Sequence, residues 1–267
     1  MCSGTTWCWR GNGSTLILLD NINETNISVG TRKECTEGEP VTRNITINNF
    51  ILDGNRLKQT SEYSRKDPWI RNNNLDVRWT NGLTVNNLHT RNARSGGIVV
   101  SWYSSNMIFN NIQSYGHHFD GLAFYTSHSC IVSNFIVHTN DGAGISLDND
   151  LRDSIFTNGV VRNNDDVGVF IRDVYNLTCS NLIIMNNKSN GIFLGDNYDT
   201  HRGPDCLHFT GCTVRGHGGV GVYNGAPVLG KHLSMQSCVL GPANLGGNMN
   251  LDFNNFTKSK DNVQFIK

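Results

Sequence analysis

The sequence lacks the features that mark several large classes of protein. Its 22 acidic and 22 basic residues give a formal net charge of zero, so it has no basic face for a nucleic acid. No apolar run approaches the roughly 20 residues that span a bilayer, and the longest run near the start is Leu16–Leu19. No charged segment with a cleavable apolar core precedes that run, so no signal peptide is visible. We therefore expect neither a nucleic-acid partner nor a membrane span.

Helical periodicity is also missing. Between residues 82 and 254 short apolar runs alternate with Asn, Asp and Gly, and no stretch has the length and the period of a helix. The fixed leucine frame of leucine-rich repeats is absent as well. These absences leave short strands joined by turns as the building units of the chain.

What the sequence does contain is a repeat that two markers follow in one register. The first marker ends a strand, and its turn residue falls at positions 87, 111, 134, 158, 181, 211 and 237. The second marker is a glycine that opens a short apolar run, at positions 97, 121, 144, 168, 191, 221 and 247. Both markers advance in steps of 24, 23, 24, 23, 30 and 26 residues. A shared period of this length predicts a solenoid, a propeller or a similar array.

Each unit has the order strand, turn, strand, turn, and it resembles the coil of a right-handed parallel β-helix of the pectin-lyase-like superfamily. The resemblance covers about residues 44–254 and implies an all-β solenoid with coils of about 23–24 residues. We interpret residues 1–43 as opening coils without a cap and residues 255–267 as a tail. An uncapped solenoid end exposes its core and its strand edges. We therefore expect a longer chain, a capping partner chain or a homotrimer of the tailspike type.

The repeat also predicts the surroundings of four of the eight cysteines. Cys130 and Cys179 fall in columns that other coils fill with Leu, Val, Phe and Met, where cysteine acts as a small hydrophobic residue. Cys212 and Cys238 share one column of consecutive coils, so they could stack or form a disulfide. We predict buried thiols at the first pair and an inert ladder at the second.

Three aromatic residues are aligned by the same repeat. Because side chains alternate along a strand, the residue between the two apolar columns of the second strand faces outward. That residue is Phe170, Phe193 and Tyr223 in successive coils. A row of exposed aromatic rings stacks on sugar rings or packs against another chain, and both interpretations stay open.

A column of charged residues, here called the rim column, precedes the second strand. It consists of Arg94, His118, Asp141, Asp165 and Lys188, with Asp166 and Asp120 close by. Neighbouring carboxylates raise one another's pKa, which suits Asp141 and Asp165 to an acid–base pair, supported by Asp166. His118 would then contact the substrate. The alternative is structural, since Asp and Asn are preferred in turns for backbone reasons alone.

A second charged cluster follows the same strand. Asp148 and Arg172 share a column, with Tyr125 before them and further charged residues in the next turns. Arg172 could bind an acidic sugar, and Asp148 could take part in acid–base catalysis. Ion pairs between coils explain the same pattern with little gain in stability.

Three turns before the second strand resemble those of polygalacturonases, which are glycoside hydrolases on this fold. That family carries Asn-Thr-Asp, Asp-Asp and Gly-His-Gly in successive turns. Here Thr139-Asn140-Asp141, Asp165-Asp166 and Gly216-His217-Gly218 stand in the same order. The resemblance implies catalysis by these aspartates. The sequence departs from the pattern in two ways, because Asp166 and His217 are two coils apart and the Arg-Ile-Lys that should follow is missing.

About 14 residues are inserted between the turns at positions 49 and 87, and they include Arg65, Trp69 and Arg71. A charged and aromatic loop on a β-helix is often one wall of a cleft. A solvated excursion is the alternative.

Three functions fit these features. The first is the carbohydrate-binding body of a tailspike-like depolymerase that acts on a surface polysaccharide, which implies an extracellular or virion location. The second is a stand-alone polysaccharide lyase, hydrolase or epimerase. The third is a non-catalytic structural module of a virion or an adhesin. The sequence requires no cofactor, although its acidic turns could hold Ca²⁺, as in some lyases.

Overall fold

The computed structural model describes residues 6–8, 14–30, 42–62, 72–225, 232–241 and 264–265. Residues 63–71 of the insertion, the glycine marker at position 247 and most of the predicted tail lie outside these ranges. Across the described ranges the only helical element is a 3-10 turn at Arg56–Lys58. No helix there is long and apolar enough to cross a membrane.

Within those ranges 21 strands form two parallel sheets, one of 13 strands and one of eight. In chain order the strands are β1 Thr6–Cys8, β2 Ser14–Ile17, β3 Ile27–Gly30, β4 Thr42–Asp53, β5 Leu75–Arg78, β6 Thr80–Arg91, β7 Ile98–Ser101, β8 Ser104–Tyr115, β9 Leu122–Tyr125, β10 Ser127–His138, β11 Ile145–Asp148, β12 Leu151–Arg162, β13 Val169–Arg172, β14 Val174–Met185, β15 Ile192–Gly195, β16 Asp205–Thr210, β17 Thr213–Arg215, β18 Val222–Asn224, β19 Leu233–Gln236, β20 Val239–Leu240 and β21 Gln264–Phe265. The second sheet has the order β18-β15-β13-β11-β9-β7-β5-β3, and the remaining strands form the first sheet. The predicted parallel β-helix is thereby confirmed.

The first sequence marker is the bend in the long strands of the first sheet. Asn residues at 49, 87, 111, 134, 158 and 181 have φ between 53° and 61°, a left-handed conformation that Asn tolerates better than most residues. Their side chains also bond between coils. Asn111 Nδ2 donates to Asn87 Oδ1 at 2.7 Å, and Asn87 Nδ2 donates to Asn49 Oδ1 at 2.9 Å. The repeated Asn therefore turns these coils and, where such bonds form, also links one coil to the next.

The second marker is a stacked column of glycines before the second sheet. The N–H groups of Ile98, Leu122 and Ile145 donate to the carbonyl oxygens of Gly121, Gly144 and Gly168 at 3.1, 3.0 and 2.9 Å. The glycines are therefore neighbours across coils, as the shared period predicts. The apolar columns that flank this marker form the core, and the predicted burial of Cys130, Cys179, Cys212 and Cys238 as free thiols is confirmed.

The glycine column leads to a prediction about stability. A Cβ at Gly144 would lie 2.4 Å from Val161 Cγ1 and 2.8 Å from Gly168 O, whereas a Cβ at Gly221 would meet only Val214 Cγ1, at 3.8 Å. We expect Gly144→Ala to lower the free energy of unfolding by about 1–3 kcal/mol, the usual cost of overpacking. Gly221→Ala is the matched control and should change it by less than about 0.5 kcal/mol. Urea unfolding of both variants measures this difference, and equal losses would contradict it.

Beside the glycines a row of buried polar side chains, here called the inner ladder, runs through the core. It consists of His117, Asn140, Asn164, Asn187 and His217, each at most 1% exposed. Each side chain accepts a hydrogen bond from a backbone N–H of the preceding coil: Asn140 Oδ1 from His117 at 3.1 Å, and Asn164 Oδ1 from Asn140 at 3.1 Å. The two histidines occupy its ends and accept in the same way through Nδ1. The ladder thus satisfies buried backbone donors that the turns leave unpaired.

Candidate functional site

A cleft of about 870 Å³ lies on the outer face of the second sheet, over β7, β9 and β11. Its floor includes Val99 and Ala123, which belong to the outward column of the sheet yet are buried. Its charged lining residues are Asp120, Asp148, Asp199 and Arg172, its aromatic ones are Trp102, Phe119, Tyr125 and Tyr198, and its amides are Asn73, Asn149 and Asn197. A cleft that combines aromatic walls with a few convergent charges has the composition of a small-molecule or sugar site.

Asp120 is a titratable group of this cleft whose pKa is shifted toward neutrality. It lies in the turn before β9, where its Oδ1 accepts the N–H of Ala143 at 2.8 Å and its Oδ2 accepts the hydroxyl of Tyr125 at 3.2 Å. Burial raises its pKa to about 6, aided by the charge of Asp166 and opposed by the two hydrogen bonds. A carboxyl group with a pKa close to neutral can both give and take a proton at physiological pH.

Tyr125 connects Asp120 to the outward face of the sheet. Its hydroxyl lies 3.3 Å from Ser146 Oγ as well as 3.2 Å from Asp120 Oδ2. Burial raises its pKa well above the ordinary value of 10.0, and the charge of Asp120 adds to the effect. The hydroxyl therefore stays protonated and acts as a hydrogen-bond donor beside Asp120.

Asp148 and Arg172 form a close ion pair at the other side of the cleft. Arg172 Nε donates to Asp148 Oδ1 at 2.9 Å and to Oδ2 at 3.0 Å, and its Nη2 also contacts Oδ2. Asp148 is 4% exposed, and burial raises its pKa even though Arg172 lowers it. The guanidinium carbon lies 5.5 Å from the ring centroid of Phe170 and 5.7 Å from that of Tyr198. The sequence-predicted pair thus lines the cleft and joins it to the aromatic row.

The aromatic row, here called the aromatic stack, consists of Phe170, Phe193 and Tyr223. The rings of Phe170 and Phe193 are 5.1 Å apart and inclined by 5°, and those of Phe193 and Tyr223 are 5.4 Å apart and inclined by 21°. Gly195 and Gly225 leave room beside them, since a Cβ at either would lie within 3.0 Å of a ring atom of Phe193 or Tyr223. The stack therefore presents partly exposed rings on the outer face of the sheet, in line with the cleft.

One wall of the cleft is a row of turns with unusual backbone conformation. Trp102, Thr126 and Asn149 have φ of 55°, 43° and 51°, and all three line the cleft. A bulky or β-branched residue in the left-handed region costs about 1–3 kcal/mol and is concentrated at functional sites. At Trp102 and Thr126 this cost favours a role beyond turning the chain, whereas Asn149 suits such a turn.

The rim column lies outside the cleft and forms surface ion pairs. Asp141 contacts Arg56 and lies 3.1 Å from His118 Nδ1, and Asp165 lies 2.8 Å from Lys188 Nζ. The pKa of Asp141 is lowered, because hydrogen bonds and charges from Arg56 and His118 outweigh its partial burial. At Asp141 the expected raised pKa is not found, because Arg56 reaches this carboxylate from a turn 85 residues away.

The polygalacturonase-like pattern is divided between the surface and the core. Asp141, Asp165 and Asp166 are partly or fully exposed, whereas Asn140 is 1% exposed and His217 is not exposed at all. Burial also lowers the pKa of His217 to about 4. Because His217 belongs to the inner ladder, it cannot face a substrate beside those aspartates. The catalytic arrangement implied by that resemblance is therefore wrong for His217, and a catalytic role of the three aspartates stays a prediction.

Among the residues that the structure describes, His, Cys, Asp and Glu side chains do not form a metal-binding group in the cleft. Among the described residues one group of three His, Cys, Asp or Glu side chains has its ligand atoms within 4.8 Å of one another, and it is Asp205, Cys206 and His232. Ca²⁺ in the cleft would need backbone or amide oxygens besides its carboxylates. Its presence stays a prediction.

From the sequence, Asp120 and Tyr125 were named only as neighbours of other candidate site residues. Trp102, Tyr198 and Asn197 were not identified as site residues. Asp120 stands in a turn, where the alternation rule no longer gives a side-chain direction. Tyr198 and Asn197 belong to the insertion in the 30-residue step. That long step is the signal that could have directed attention to them, since insertions on a regular scaffold carry function.

Comparisons with known proteins place the chain among β-helices. A family model described as "Right handed beta helix region" matches residues 79–230, more than half of the chain. No curated protein sequence matches it. The structure is similar to the periplasmic alginate epimerase AlgG, with a TM-score of 0.57, 14% identity, and 84% of this chain covering 48% of that one.

Two other structures show the same fold. The pectate lyase Pel9A has a TM-score of 0.66 and 15% identity over 95% of this chain and 64% of the lyase. PfbA, a surface adhesin of Streptococcus pneumoniae, has a TM-score of 0.63 and 12% identity over 85% of this chain and 65% of the adhesin. The chain spans about half the length of AlgG, and at these identities the likeness concerns the fold. With its two parallel sheets, its stacked glycine and asparagine markers and the match over residues 79–230, the chain belongs to the right-handed β-helix family.

Proposed function

We propose that this protein binds a polysaccharide along the outer face of the second sheet and acts on it in the cleft, with Asp120 as the proton-transferring group. The observation that carries the proposal is the position of Asp120, whose pKa is raised to about 6, inside a cleft whose floor shares an outward column of the sheet with the aromatic stack. Flat rings at the spacing of successive coils suit the apolar faces of successive sugars. The epimerase and the lyase among similar structures act on polysaccharides by their names, which supports the same substrate class here.

The chemistry follows from the two states of Asp120. In its protonated state it can donate to a glycosidic oxygen as the bond to the sugar carbon breaks, and a water then supplies the hydroxyl group. In its ionised state it can take a proton from a sugar carbon or from water. Tyr125 donates a hydrogen bond to the carboxylate and holds it toward the cleft. A group whose pKa is near the working pH is efficient in either role.

The lining charges favour a neutral polysaccharide and hydrolysis. Asp120, Asp148 and Asp199 contribute three carboxylates against the single guanidinium of Arg172, which is already paired with Asp148. A polyanionic chain would be repelled by such a surface. Two carboxyl groups in different environments, Asp120 and Asp148, are also the usual equipment of a glycoside hydrolase.

A second candidate is elimination or epimerisation of an acidic sugar. It is supported by the presence in one cleft of a base, a hydroxyl donor and a cation, namely Asp120, Tyr125 and Arg172. In this case the base removes the proton from the carbon next to the sugar carboxylate. In elimination the electron pair then expels the glycosidic oxygen, and in epimerisation the same carbon takes up a proton on its opposite face.

The test is a glycan-array screen followed by product analysis on the glycan that binds. New reducing ends without ultraviolet absorbance indicate hydrolysis. A product with the absorbance of a C4–C5 double bond indicates elimination, and inverted sugar configuration without cleavage indicates epimerisation. Binding without any product would leave the polysaccharide-binding role and refute the catalytic one. Failure of every glycan to bind would refute both.

A mechanism that depends on Ca²⁺ leads to a separate prediction. If Ca²⁺ bridges the carboxylates of the cleft to an acidic sugar, EDTA should abolish turnover and added CaCl₂ should restore it. Turnover that persists in EDTA would remove this version and leave Asp120 with its neighbours as the catalytic groups.

The aromatic stack gives a binding prediction. Phe193 is its central ring, so Phe193→Ala should weaken binding of the glycan about 10-fold, equivalent to ~1.4 kcal/mol. The matched control is Ile155→Ala, which removes a 41% exposed apolar side chain from the outer face of the first sheet. Isothermal titration of both variants measures the difference. Equal affinities in the two variants would mean that the stack is not a sugar platform.

A third candidate is a non-catalytic module in an oligomer, as in a virion protein, a trimeric tailspike or an adhesin. It is supported by exposed isoleucines aligned on the first sheet, at 108, 131 and 155, which are 41–43% exposed. A location outside the cytoplasm fits all three candidates, because the similar structures include a periplasmic enzyme and a surface adhesin. Sedimentation equilibrium tests this candidate, since a monomer that turns over a glycan would exclude it.

A further inference from the structure

Three side chains of different chemistry converge where two consecutive coils begin their strands in the first sheet. Asp205 and Cys206 open β16, and His232 directly precedes β19. His232 Nδ1 lies 3.5 Å from Asp205 Oδ1 and 3.9 Å from Cys206 Sγ. These side chains lie outside the cleft, and the proposed function does not use them.

The separations suit a tetrahedral metal ion. With metal–nitrogen and metal–oxygen bonds of about 2.0 Å and a metal–sulfur bond of about 2.3 Å, the donor atoms of a zinc site are about 3.3–3.7 Å apart. The observed distances of 3.5 and 3.9 Å need only a small contraction. Carboxylate, thiolate and imidazole are the three ligand types that Zn²⁺ uses in proteins, and a water would complete the tetrahedron.

The backbone of the site is already held in place. Asp205 Oδ1 accepts the N–H of Cys206 at 2.8 Å and the N–H of His232 at 3.1 Å. The same Oδ1 that lies 3.5 Å from His232 Nδ1 therefore fastens both coils and fixes the position of the carboxylate beside the imidazole. Outer hydrogen bonds of this kind orient the ligands of metal sites.

Cys206 also has an unusual residue type for its position. Its φ is 54°, and the equivalent turn positions of earlier coils hold Asn, Gly, Asn, Ser, Asp and Asn, at 44, 82, 106, 129, 153 and 176. Those residue types suit a left-handed turn, and Asn176 Nδ2 bonds to Asp153 Oδ1 across coils at 2.7 Å. Cys206 has neither the preference for a left-handed turn nor an amide that could bond across coils. It instead places a thiol beside the imidazole of His232.

From this convergence we propose that Asp205, Cys206 and His232 form a zinc site that joins two consecutive coils of the solenoid. Binding would release the thiol proton to solvent and form the metal–sulfur bond. Since the ligands come from both coils, the metal stabilises the folded state by mass action.

The experiment uses Co²⁺ as a spectroscopic probe and Zn²⁺ as its competitor, both with the full chain. One equivalent of Co²⁺ should give the thiolate charge-transfer band of a tetrahedral site, and one equivalent of Zn²⁺ should remove it. Cys206→Ser should abolish the band, and Asp205→Asn and His232→Asn should weaken binding by at least about 10-fold. Asp205→Asn retains an oxygen that can accept both backbone N–H groups, so its loss of affinity would report on the charge and not on the fold.

His208→Asn is the matched control, because His208 is two residues from Cys206 and bonds to Ser234 Oγ at 2.9 Å instead of joining the cluster. Its affinity for Co²⁺ should equal that of the unmodified protein. Zn²⁺ should also slow alkylation of Cys206, measured by peptide mass mapping. Absence of a thiolate band, or an unchanged band in Cys206→Ser, would overturn the proposal.

Discussion

Replacing Asp120 by Asn is expected to lower turnover of the polysaccharide by about 10²- to 10⁴-fold without loss of the fold. The proton-transferring group disappears, while the structural bond to the N–H of Ala143 can be kept by the amide oxygen. The chain itself shows that Asn serves there, because Asn73 Oδ1 and Asn190 Oδ1 accept the equivalent N–H groups of Gly96 and Val220, each at 2.9 Å.

The same substitution should stabilise the protein at alkaline pH. The folded-state pKa of Asp120, about 6, is above the ordinary 3.8, so the folded protein holds this proton more tightly than the unfolded chain does. The contribution of Asp120 to stability is therefore complete below pH 3.8 and is lost as the pH rises through 6. The difference corresponds to at most about 3 kcal/mol. Thermal unfolding at pH 8 should show an equal or higher melting temperature for Asp120→Asn, together with its loss of turnover.

Asp166→Asn provides the control for electrostatics. Asp166 is exposed and its charge raises the pKa of Asp120, so its removal should lower that pKa while turnover persists. For hydrolysis with Asp120 as the acid, the alkaline limb of the pH–rate profile should therefore move to lower pH. The double variant Asp141→Asn, Asp165→Asn tests the rim column. If that variant loses turnover and Asp120→Asn keeps it within a few-fold, the acid–base pair lies on the rim and the proposed role of Asp120 is wrong.

Acid should unfold this protein through its two buried histidines. Burial lowers the pKa of His117 to about 3 and that of His217 to about 4. Each Nδ1 accepts a backbone N–H, from Ala93 at 3.0 Å and from Asn187 at 3.2 Å. A protonated ring would present a second donor to that N–H, so the folded state requires the neutral imidazole.

The direction of the effect follows from linkage. Both folded pKa values lie below the ordinary 6.5, so the unfolded chain binds these protons first as the pH falls. The stability that the neutral histidines contribute is present above pH 6.5 and is lost as the pH falls through 4 and then 3. The two differences correspond to about 5 and about 3 kcal/mol at most. Against a typical total of about 5–15 kcal/mol, this loss is large enough to unfold the protein in acid.

Replacing both histidines by Asn should move the acid midpoint to lower pH by about one unit or more. Asn occupies the other three positions of the inner ladder, where its Oδ1 accepts the same kind of N–H. Circular dichroism from pH 7 to pH 3 measures the midpoint, and His128→Asn, at an exposed position, is the control. An unchanged midpoint in the double variant would assign acid unfolding to other groups.

The two sequence markers identify residue types that the solenoid favours at equivalent positions of most coils. Asn at the bend tolerates a left-handed backbone, and glycine before the second sheet leaves no room for a Cβ, as at Gly144. These are local demands repeated at a fixed interval, so the period alone predicts the parallel strands and their register. It also predicts that Phe170, Phe193 and Tyr223 stack, since equivalent positions of successive coils lie side by side.

The candidate site depends on contacts that have no period. Arg56 reaches Asp141 and His118 from an insertion, and Tyr198 reaches Arg172 from another. Such contacts decide that the rim column is neutralised and that the cleft opens over β7, β9 and β11 instead.

The amino-acid sequence was sufficient for the β-helix, its register, its buried thiols and its aromatic stack, because each of these follows from what a strand or a turn demands of one residue. The tertiary structure was needed to distinguish Asp120 from Asp141 and the buried His217 from a surface histidine. A pKa depends on what covers a carboxyl group or an imidazole, and the covering residues come from distant coils and insertions whose directions no repeat specifies.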